Sequence, residues 1–479
     1  MQHRFLVLLA IFWAPAVWAG NNAGGAFTVW LDTGQSKCYN NTVEIPCPAE
    51  GQAFHGQDAQ YQGPARSYTK LDGSGNPVPE DAASWVMVRD NVTGLVWEVK
   101  ENGDGTKEYS NPHDADNTYT WCDTDPATNG GSEGNCGIHN TKGFINALNN
   151  ASFGGHTDWR LPTLKELQTL VDYAGINPAI AATFFPDTRL DDEYWSATPC
   201  TNYTDRAFSV YFYSGVGDAN NKSIGSLYVR AVRGGTGSAA SYTDNGDGTV
   251  TDMATGLMWV QASADTDDDG SPDRTSWQEA LAWCQNLELA GYTDWRLPNI
   301  NELSSIVDYA KSAPVINTTF FPDTRSADYW SATTYAGYTS HVWRVDFNGY
   351  GGYSAYDKVY SYYVRCVRGQ QFGSFVFDPI SDQTAGSPFQ IRITAQDQGG
   401  NIVSYYNGSV QITSDVGDVT PADVTLVNGQ ASVTVSITGT GDTRLYADDG
   451  IHPQGQSNVF TVSSFSWPMF LPAVTAGHP

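Results

Sequence analysis

A set of short blocks occurs twice in this chain, in the same order and at nearly the same spacing. Thr93-Gly94-Leu95-Val96-Trp97 leads to Trp159-Arg160-Leu161-Pro162, Glu166-Leu167, Val171-Asp172-Tyr173, Phe184-Phe185-Pro186-Asp187, Tyr194-Trp195-Ser196-Ala197-Thr198 and Tyr228-Val229-Arg230-Ala231-Val232-Arg233. Further on, Thr255-Gly256-Leu257-Met258-Trp259 leads to Trp295-Arg296-Leu297-Pro298, Glu302-Leu303, Val307-Asp308-Tyr309, Phe320-Phe321-Pro322-Asp323, Tyr329-Trp330-Ser331-Ala332-Thr333 and Tyr363-Val364-Arg365-Cys366-Val367-Arg368. Self-similarity of this length means one domain made twice. Residues kept in both copies are read first as what the shared core needs. The first copy carries an insertion, about Glu101 to Gly137, that the second lacks.

Local patterning fills in each copy. Thr163 with Glu166, and Asn299 with Glu302, have capping-box spacing, which starts a helix after each Trp-Arg-Leu-Pro. Leu164, Leu167, Leu170 and Val171 fall on one helical face, as do Ile300, Leu303, Ile306 and Val307. The opposite face, with Lys165 and Gln168, is expected to meet water. Ala207–Phe212 and His341–Phe347 alternate in period two and run into Gly-rich turns, so they read as strands. The closing Tyr-Val-Arg-x-Val-Arg reads as a central strand, with arginines suited to satisfying carboxylates or carbonyls. Asp158, Glu166 and Asp172, with Asp294, Glu302 and Asp308, recur in both copies. Capping and arginine pairing account for them more simply than acid–base catalysis.

From Phe375 onward Phe389-Gln390-Ile391-Arg392-Ile393, Val410-Gln411-Ile412 and Val433-Thr434-Val435-Ser436-Ile437 alternate strictly between turns, with no helix signal, which reads as a β-sandwich. At the other end, Met1 to Gly20 reads as an export signal: Arg4, an apolar run from Phe5 to Trp13, and a small-residue cleavage site at Val17-Trp18-Ala19. No other segment is apolar for long enough to span a bilayer. Acidic residues number 52 against 25 basic ones, a net charge of −27. That field disfavours nucleic acid and anionic lipid and leaves carboxylates for a cation such as calcium.

An exported chain can oxidise its cysteines, of which there are 7. Aligning the copies sets Cys284 opposite Leu148 and Cys366 opposite Ala231, so both are absent together from the first copy; they are expected to pair. Cys38 and Cys47 are close enough to close a small loop. Cys122 and Cys136 flank the Gly/Asn/Ser-rich insertion and are placed to staple it. Cys200 is left over: free, paired instead with Cys122 or Cys136, or linking two chains.

Two sets of side chains in the second copy carry ligand chemistry. Asp265, Asp267, Asp269 and Asp273, with Gly270, resemble the first half of an EF-hand loop, in which alternate carboxylates wrap a calcium ion. The bidentate Glu is not at its place, and Glu279 lies a little beyond; the competing reading is a solvated acidic loop. Tyr335, Tyr338, Tyr350, Tyr353, Tyr356 and Tyr360 sit in Gly- and Ser-rich segments around the last hairpin. Such rings suit stacking on sugars or a protein partner; the competing reading is a set of tyrosines covering a sheet edge. The matching loop of the first copy, Ser214 to Asn220, is nearly free of aromatics. Weaker acidic groups, Asn102-Gly103-Asp104-Gly105 and His113-Asp114-Ala115-Asp116, lie in the insertion, and Asn245-Gly246-Asp247-Gly248 reads as a hairpin turn. No metal-spaced His/Cys set, phosphate loop or Gly-x-Ser-x-Gly motif appears in its required context.

With Asn245-Gly246-Asp247-Gly248-Thr249-Val250-Thr251-Asp252, Thr255 to Trp259, both Trp-Arg-Leu-Pro blocks, both Tyr-Trp-Ser-Ala-Thr blocks and Tyr363 to Arg368, the copies resemble the Lcl C-terminal domain family, named for a bacterial collagen-like adhesin. The resemblance covers most of residues 28 to 369. It implies an adhesin whose oligomeric heads bind sulfated glycans. This chain departs from that pattern in lacking a collagen repeat and in its negative charge. A more distant likeness, Arg-Leu-Pro with a Glu-bearing helix and a final Val-Arg-x-Val-Arg strand, is to the C-type-lectin-like fold of formylglycine-generating enzymes. The segment after Phe375 resembles bacterial immunoglobulin-like domains.

The expected fold is therefore α+β: two C-type-lectin-like repeats plus an all-β immunoglobulin-like sandwich. The expected domains are a signal peptide at 1–19, a first repeat with lead-in and insertion at 28–234, a second repeat at 241–369, the sandwich at 373–463 and a tail at 464–479. The expected function is that of a secreted or surface-exposed bacterial binding protein, adhesin-like and not an enzyme, which recognises glycan or protein with calcium as the one cofactor considered. Nucleic acid and a transmembrane segment are excluded, and a homo-oligomer is left open. The alternatives are a component of an extracellular fibre or sheath and an enzyme on a formylglycine-generating-like scaffold, for which Cys200 is the spare thiol.

Overall fold

The computed structural model describes residues 32–61, 63, 65–234, 241–369, 372–397, 400, 402–403, 406, 408–427, 429–449 and 454–464. The export signal at 1–19 and all but the first residue of the tail at 464–479 lie outside them.

Each repeat begins on a four-stranded antiparallel sheet. In the first the order is Val232–Arg233, Val96–Glu98, Met87–Asp90, Tyr68–Leu71; in the second it is Tyr242–Asp244, Thr249–Asp252, Met258–Val260, Val367–Arg368. The repeated tryptophans take the same register: Trp97 faces Val232 and Trp259 faces Val367. The closing Tyr-Val-Arg-x-Val-Arg segment supplies the last, two-residue strand of each sheet, and its far side is hydrogen-bonded as well, Val232 to Arg160 and Val367 to Arg296, so it lies between two partners as its pattern suggested. Its last arginines bridge to Asp158 and Asp294.

The expectation of an α+β fold with C-type-lectin-like repeats does not hold. Among the described residues 32% are strand and 9% helix, and strand pairs are antiparallel save Gln383–Thr384 with Phe460–Ser463. The four α-helices, α1 (Thr141–Asn150), α2 (Leu164–Thr169), α3 (Trp277–Gln285) and α4 (Ile300–Ser305), are short. The capping boxes on α2 and α4 form as the spacing required. They start helices of only 6 residues, however, and the apolar stripe continues past the helix end through Leu170 and Val171. A strong start signal says nothing about length.

In each copy the same glutamate closes the cap and holds the repeated arginine. Arg160 meets both carboxylate oxygens of Glu166 at 2.6 Å, and Arg296 meets those of Glu302 at 2.6 and 2.5 Å. The forked geometry pins the Trp-Arg-Leu-Pro turn to the helix that follows it.

The copies pack on each other about a pseudo-two-fold axis. Strands Tyr194–Pro199, Arg206–Tyr211 and Val216–Asn221 of the first continue into Tyr353–Asp357, His341–Asp346 and Asp328–Thr334 of the second as one six-stranded sheet. The seam is the pairing of Gly217 with Tyr353. Across it Tyr173 meets Trp343 edge-on at 5.0 Å, and its counterpart Tyr309 meets Phe208 edge-on at 5.0 Å. Such reciprocity marks an isologous contact. Lys165 and Gln168, expected in water, are buried here: Lys165 Nζ donates to the Ser305 carbonyl at 2.8 Å and Gln168 Nε2 to Ser304 Oγ at 3.0 Å. The polar back of α2 is the contact between copies.

The C-terminal segment is all β. One sheet joins Phe372–Phe377, Phe389–Asp397, Gln430–Ile437 and Val419–Thr420; another joins Asp423–Thr425, Ser409–Ser414, Leu445–Asp448 and Gly455–Gln456. Inward residues of both, including Ile391, Ile393, Val410, Ile412, Val435 and Leu445, share one core.

Candidate functional site

Three disulfides form: Cys38–Cys47, Cys122–Cys136 and Cys284–Cys366. Cys284–Cys366 ties α3 to the closing segment, and the first copy fills the same place with buried Leu148 and Ala231. Cys200 is a free, buried thiol beneath the second copy's hairpin, which removes it from both the alternative pairings and a link between chains. Burial pushes its pKa up.

The two small disulfide loops do the same work. Trp121 and Trp277 each donate their indole N–H to a strand carbonyl, Ser196 at 2.9 Å and Ser331 at 3.0 Å. Over each indole lies a buried lysine, Lys222 at 4.3 Å and Lys358 at 4.0 Å from the ring centre. Lys222 Nζ donates to the carbonyls of Asn129, Ser132 and Thr204, and Lys358 Nζ to the carbonyls of Asn40 and Thr339 and to Thr334 Oγ1. Asn129 and Ser132 belong to the Cys122–Cys136 loop, and Asn40 to the Cys38–Cys47 loop. The lead-in, adjacent in sequence to the first copy, therefore caps the second.

Further contacts seat the lead-in. Asp58 Oδ2 accepts from Thr33 Oγ1 at 2.8 Å and Thr333 Oγ1 at 2.6 Å. Gln35 Nε2 donates to the carbonyls of Tyr173 and Thr334, both at 2.8 Å, so it touches both copies. Nothing in the spacing of Lys222, Lys358 or Asp58 marks them, because their partners are backbone carbonyls or distant hydroxyls. In the insertion, Asp114 accepts from Asn102 within the loop, and Asp116 pairs with Arg189 at 3.0 Å, which fastens the loop to the head.

In the acidic loop of the second copy, carboxylate oxygens of Asp265, Asp267 and Asp269 lie within 4.8 Å of one another. Asp273 does not join them: its Oδ2 accepts from Thr266 N at 2.8 Å and Thr266 Oγ1 at 2.6 Å, closing the base of the loop. Asp267 and Asp269 are exposed and Asp265 is half-buried. The N–H of Asp269 favours the charged form of Asp267, but the Asp269 carboxylate, desolvation and the carboxylates of Asp273 and Asp265 together outweigh it, and the Asp267 pKa is raised. Like-charge crowding of this kind is relieved by a cation.

The six tyrosines do not form one surface. Tyr353 is 1% exposed, in the seam between copies, and cannot present its ring. Tyr350 stacks on Tyr203 of the first copy at 4.6 Å and is part of the same junction. Tyr335 and Tyr338 lie 6.2 Å apart at the opposite end of the junction, on the side of Ile176 and the stacked pair Tyr211 and Tyr213. Tyr356 and Tyr360, 41% and 54% exposed, make a separate platform with Tyr362, which stacks on Tyr360 at 6.3 Å. Arg344 lies over the Tyr356 ring at 4.2 Å and pairs with Asp328. Tyr362 and Arg344 escaped sequence reading because only strand register brings them beside Tyr356. In the first copy the register places Ser209 and Asn220 where Arg344 and Tyr356 stand, hydrogen-bonded to each other at 2.8 Å.

Beside the platform an open cleft of about 550 Å³ runs along α3, lined by Arg274, Thr275, Glu279, Trp283, Asn286 and Glu288 among others. Thr275 and Tyr362 exchange backbone hydrogen bonds at 2.9 and 3.1 Å, which join the segment under the cleft to the segment that carries the platform.

The family model for the Lcl C-terminal domain matches residues 86–233 and 248–368. No curated protein matches the chain. Similar solved structures include the D0-D1 domain of Intimin, 14% identical over 26% of this chain and 75% of that one with a TM-score of 0.17. Domains 4 and 5 of the S-layer protein SbsC are 16% identical over 46% of this chain and 98% of that one, with a TM-score of 0.19. No helix among the described residues is long and apolar enough to cross a membrane.

Proposed function

The chain belongs to the Lcl C-terminal domain family, and from that premise we propose that it is an extracellular or surface-exposed bacterial binding protein, adhesin-like and without catalytic activity, whose second repeat is the binding head. One observation carries the reading. The two repeats share their core, their Arg–Glu forks and their capped lysines, yet at the place where the first has Ser209 and Asn220 the second turns Tyr356, Tyr360 and Tyr362 to solvent. A face not needed by the fold is where a binding function resides. Three disulfides fit an oxidising, extracellular setting. The spare thiol is buried with a raised pKa, the state of an unreactive cysteine.

Calcium is part of the proposal. Asp265, Asp267 and Asp269 supply oxygens at one point of a loop that borders the cleft through Thr266 and Arg274. A bound ion would relieve their crowding and stiffen the cleft edge.

The test is retention of the labelled full chain on fixed cells and on extracellular-matrix preparations, compared with Tyr356→Ser/Tyr360→Ser and with chelator present. Loss of retention in the variant supports the reading. Equal retention, or none by the parent chain, removes it.

A further inference from the structure

We infer that the cleft along α3 and the tyrosine platform together form an extended subsite for a neutral oligosaccharide, with one sugar ring over Trp283 and the following rings on Tyr360 and Tyr362. The inference rests on the binding-protein reading above and adds the ligand class.

Three features of the face select that class. The first is ring availability. Trp283 lines the cleft half-buried, and Tyr360 is exposed; aromatic faces of this kind stack on the C–H faces of sugar rings while their polar edges meet hydroxyls. At the corresponding place on α1 the first copy has Ala147, so this ring too is particular to the second head.

The second feature is charge. The charged groups of the face are Glu279, Glu288, Asp328, Arg274 and Arg344, a carboxylate excess, and the acidic loop stands at its edge. An acidic sugar or sulfated chain would enter an unfavourable field on a protein of net charge −27. Uncharged hydroxyls find both donors and acceptors.

The third feature separates a sugar from a basic peptide, the other ligand that negative charge attracts. The two guanidinium groups already lie on ring faces, Arg344 at 4.2 Å from Tyr356 and Arg274 at 5.2 Å from Tyr363. These two fixed guanidinium groups repel a ligand cation approaching Tyr356 or Tyr363. Trp283 in the cleft and the 54% exposed Tyr360 of the platform keep ring surface for an uncharged ligand.

Calorimetric titration of the full chain with calcium present tests this. The probes are the hexasaccharides of cellulose, β-1,3-glucan, starch and chitin, with hexagalacturonate and hexalysine as charged comparators. At least one neutral hexasaccharide is expected to bind, its trisaccharide more weakly, and the charged probes not at all. Trp283→Ala and Tyr360→Ala are each expected to weaken binding about tenfold or more, with circular dichroism unchanged. Tyr360 is exposed, so its variant keeps the test valid should Trp283→Ala unfold. Binding of none of the neutral probes, or preference for a charged one, overturns the inference. If cell retention depends on Tyr356 and Tyr360 while no neutral probe binds, only the ligand class falls; if retention is absent too, the binding-protein reading falls with it.

Discussion

Lys358 reaches back to the carbonyl of Asn40, 318 residues earlier in the chain, at 2.9 Å. Its counterpart Lys222 reaches the carbonyl of Asn129 at 2.6 Å. Two unrelated disulfide loops, one ahead of the first repeat and one inside it, have been recruited to the same lysine–tryptophan seat. The duplicated head needs that seat covered, and it accepts any loop that brings carbonyls over the ammonium group.

Lys358→Met keeps the stem but leaves the carbonyls of Asn40 and Thr339 without their donor. The expected loss is about 3 kcal/mol, the scale of removing one partner from a buried charged hydrogen-bond set. Proteolysis should then cut first within residues 33–61. Lys222→Met should instead expose residues 122–136. Mass spectrometry of the early fragments distinguishes the two; the same first cut in both variants would show that the loops are not held independently.

The Cys284–Cys366 bridge closes a separation of 82 residues. Cys284→Ser/Cys366→Ser should lower stability by about 2–5 kcal/mol. Cys284→Leu/Cys366→Ala installs what the first copy uses at these positions and should recover part of that loss through packing. Calorimetry on the three proteins checks the order; a Leu/Ala protein less stable than the Ser/Ser one would mean the two cores are not equivalent.

Asp58 gives the lead-in a pH dependence. Burial is the main cause that raises its carboxyl from 3.8 to about 7, with Asp32 and Glu302 adding to it and the hydroxyls of Thr333 and Thr33 opposing. A carboxyl whose pKa is raised on folding contributes stability that is complete below its unfolded value and is lost as the pH rises through its folded value. The window is therefore from about 4 to about 7. Asp58→Asn can accept the same hydroxyls and carries no charge. It should match the parent near pH ~3 and exceed it by roughly 3–4 kcal/mol near pH ~8, read from urea midpoints. A parent-to-variant difference independent of pH would place the titration elsewhere.

The repeat, the capping boxes, the disulfide pairs and the sandwich were legible because each is encoded locally or by comparison of the copies. Thr163 and Glu166 carry their signal three residues apart, and Cys284 and Cys366 disappear together from the first copy. The packing of one copy on the other was not legible. Lys165 and Gln168 look like a solvated face until α4 is laid against them, since interface polarity resembles surface polarity. Tyr353 failed as a ligand residue for the same reason: a tyrosine in a Gly-rich turn carries no mark of whether its ring points to solvent or into a seam. The α+β expectation failed because start signals were read as full helices.

That seam makes a last prediction. A Cβ on Gly217 would sit 2.5 Å from the Tyr353 ring, and Tyr353 is fixed among Trp343 and the strands of both copies. No flexible end can yield, so overpacking should cost about 1–3 kcal/mol for Gly217→Ala and more for Gly217→Val. The cost should fall on the contact between copies, where strand pairing is limited to Gly217 with Tyr353, and not on either four-stranded sheet. Hydrogen exchange should therefore rise in 216–221 and 353–357 while 87–98 and 249–260 keep their protection. Relief should come from Tyr353→Leu in the Gly217→Ala background, because the smaller side chain makes room for the methyl group. If the double variant is no more stable than Gly217→Ala, the seam is held by something other than this contact.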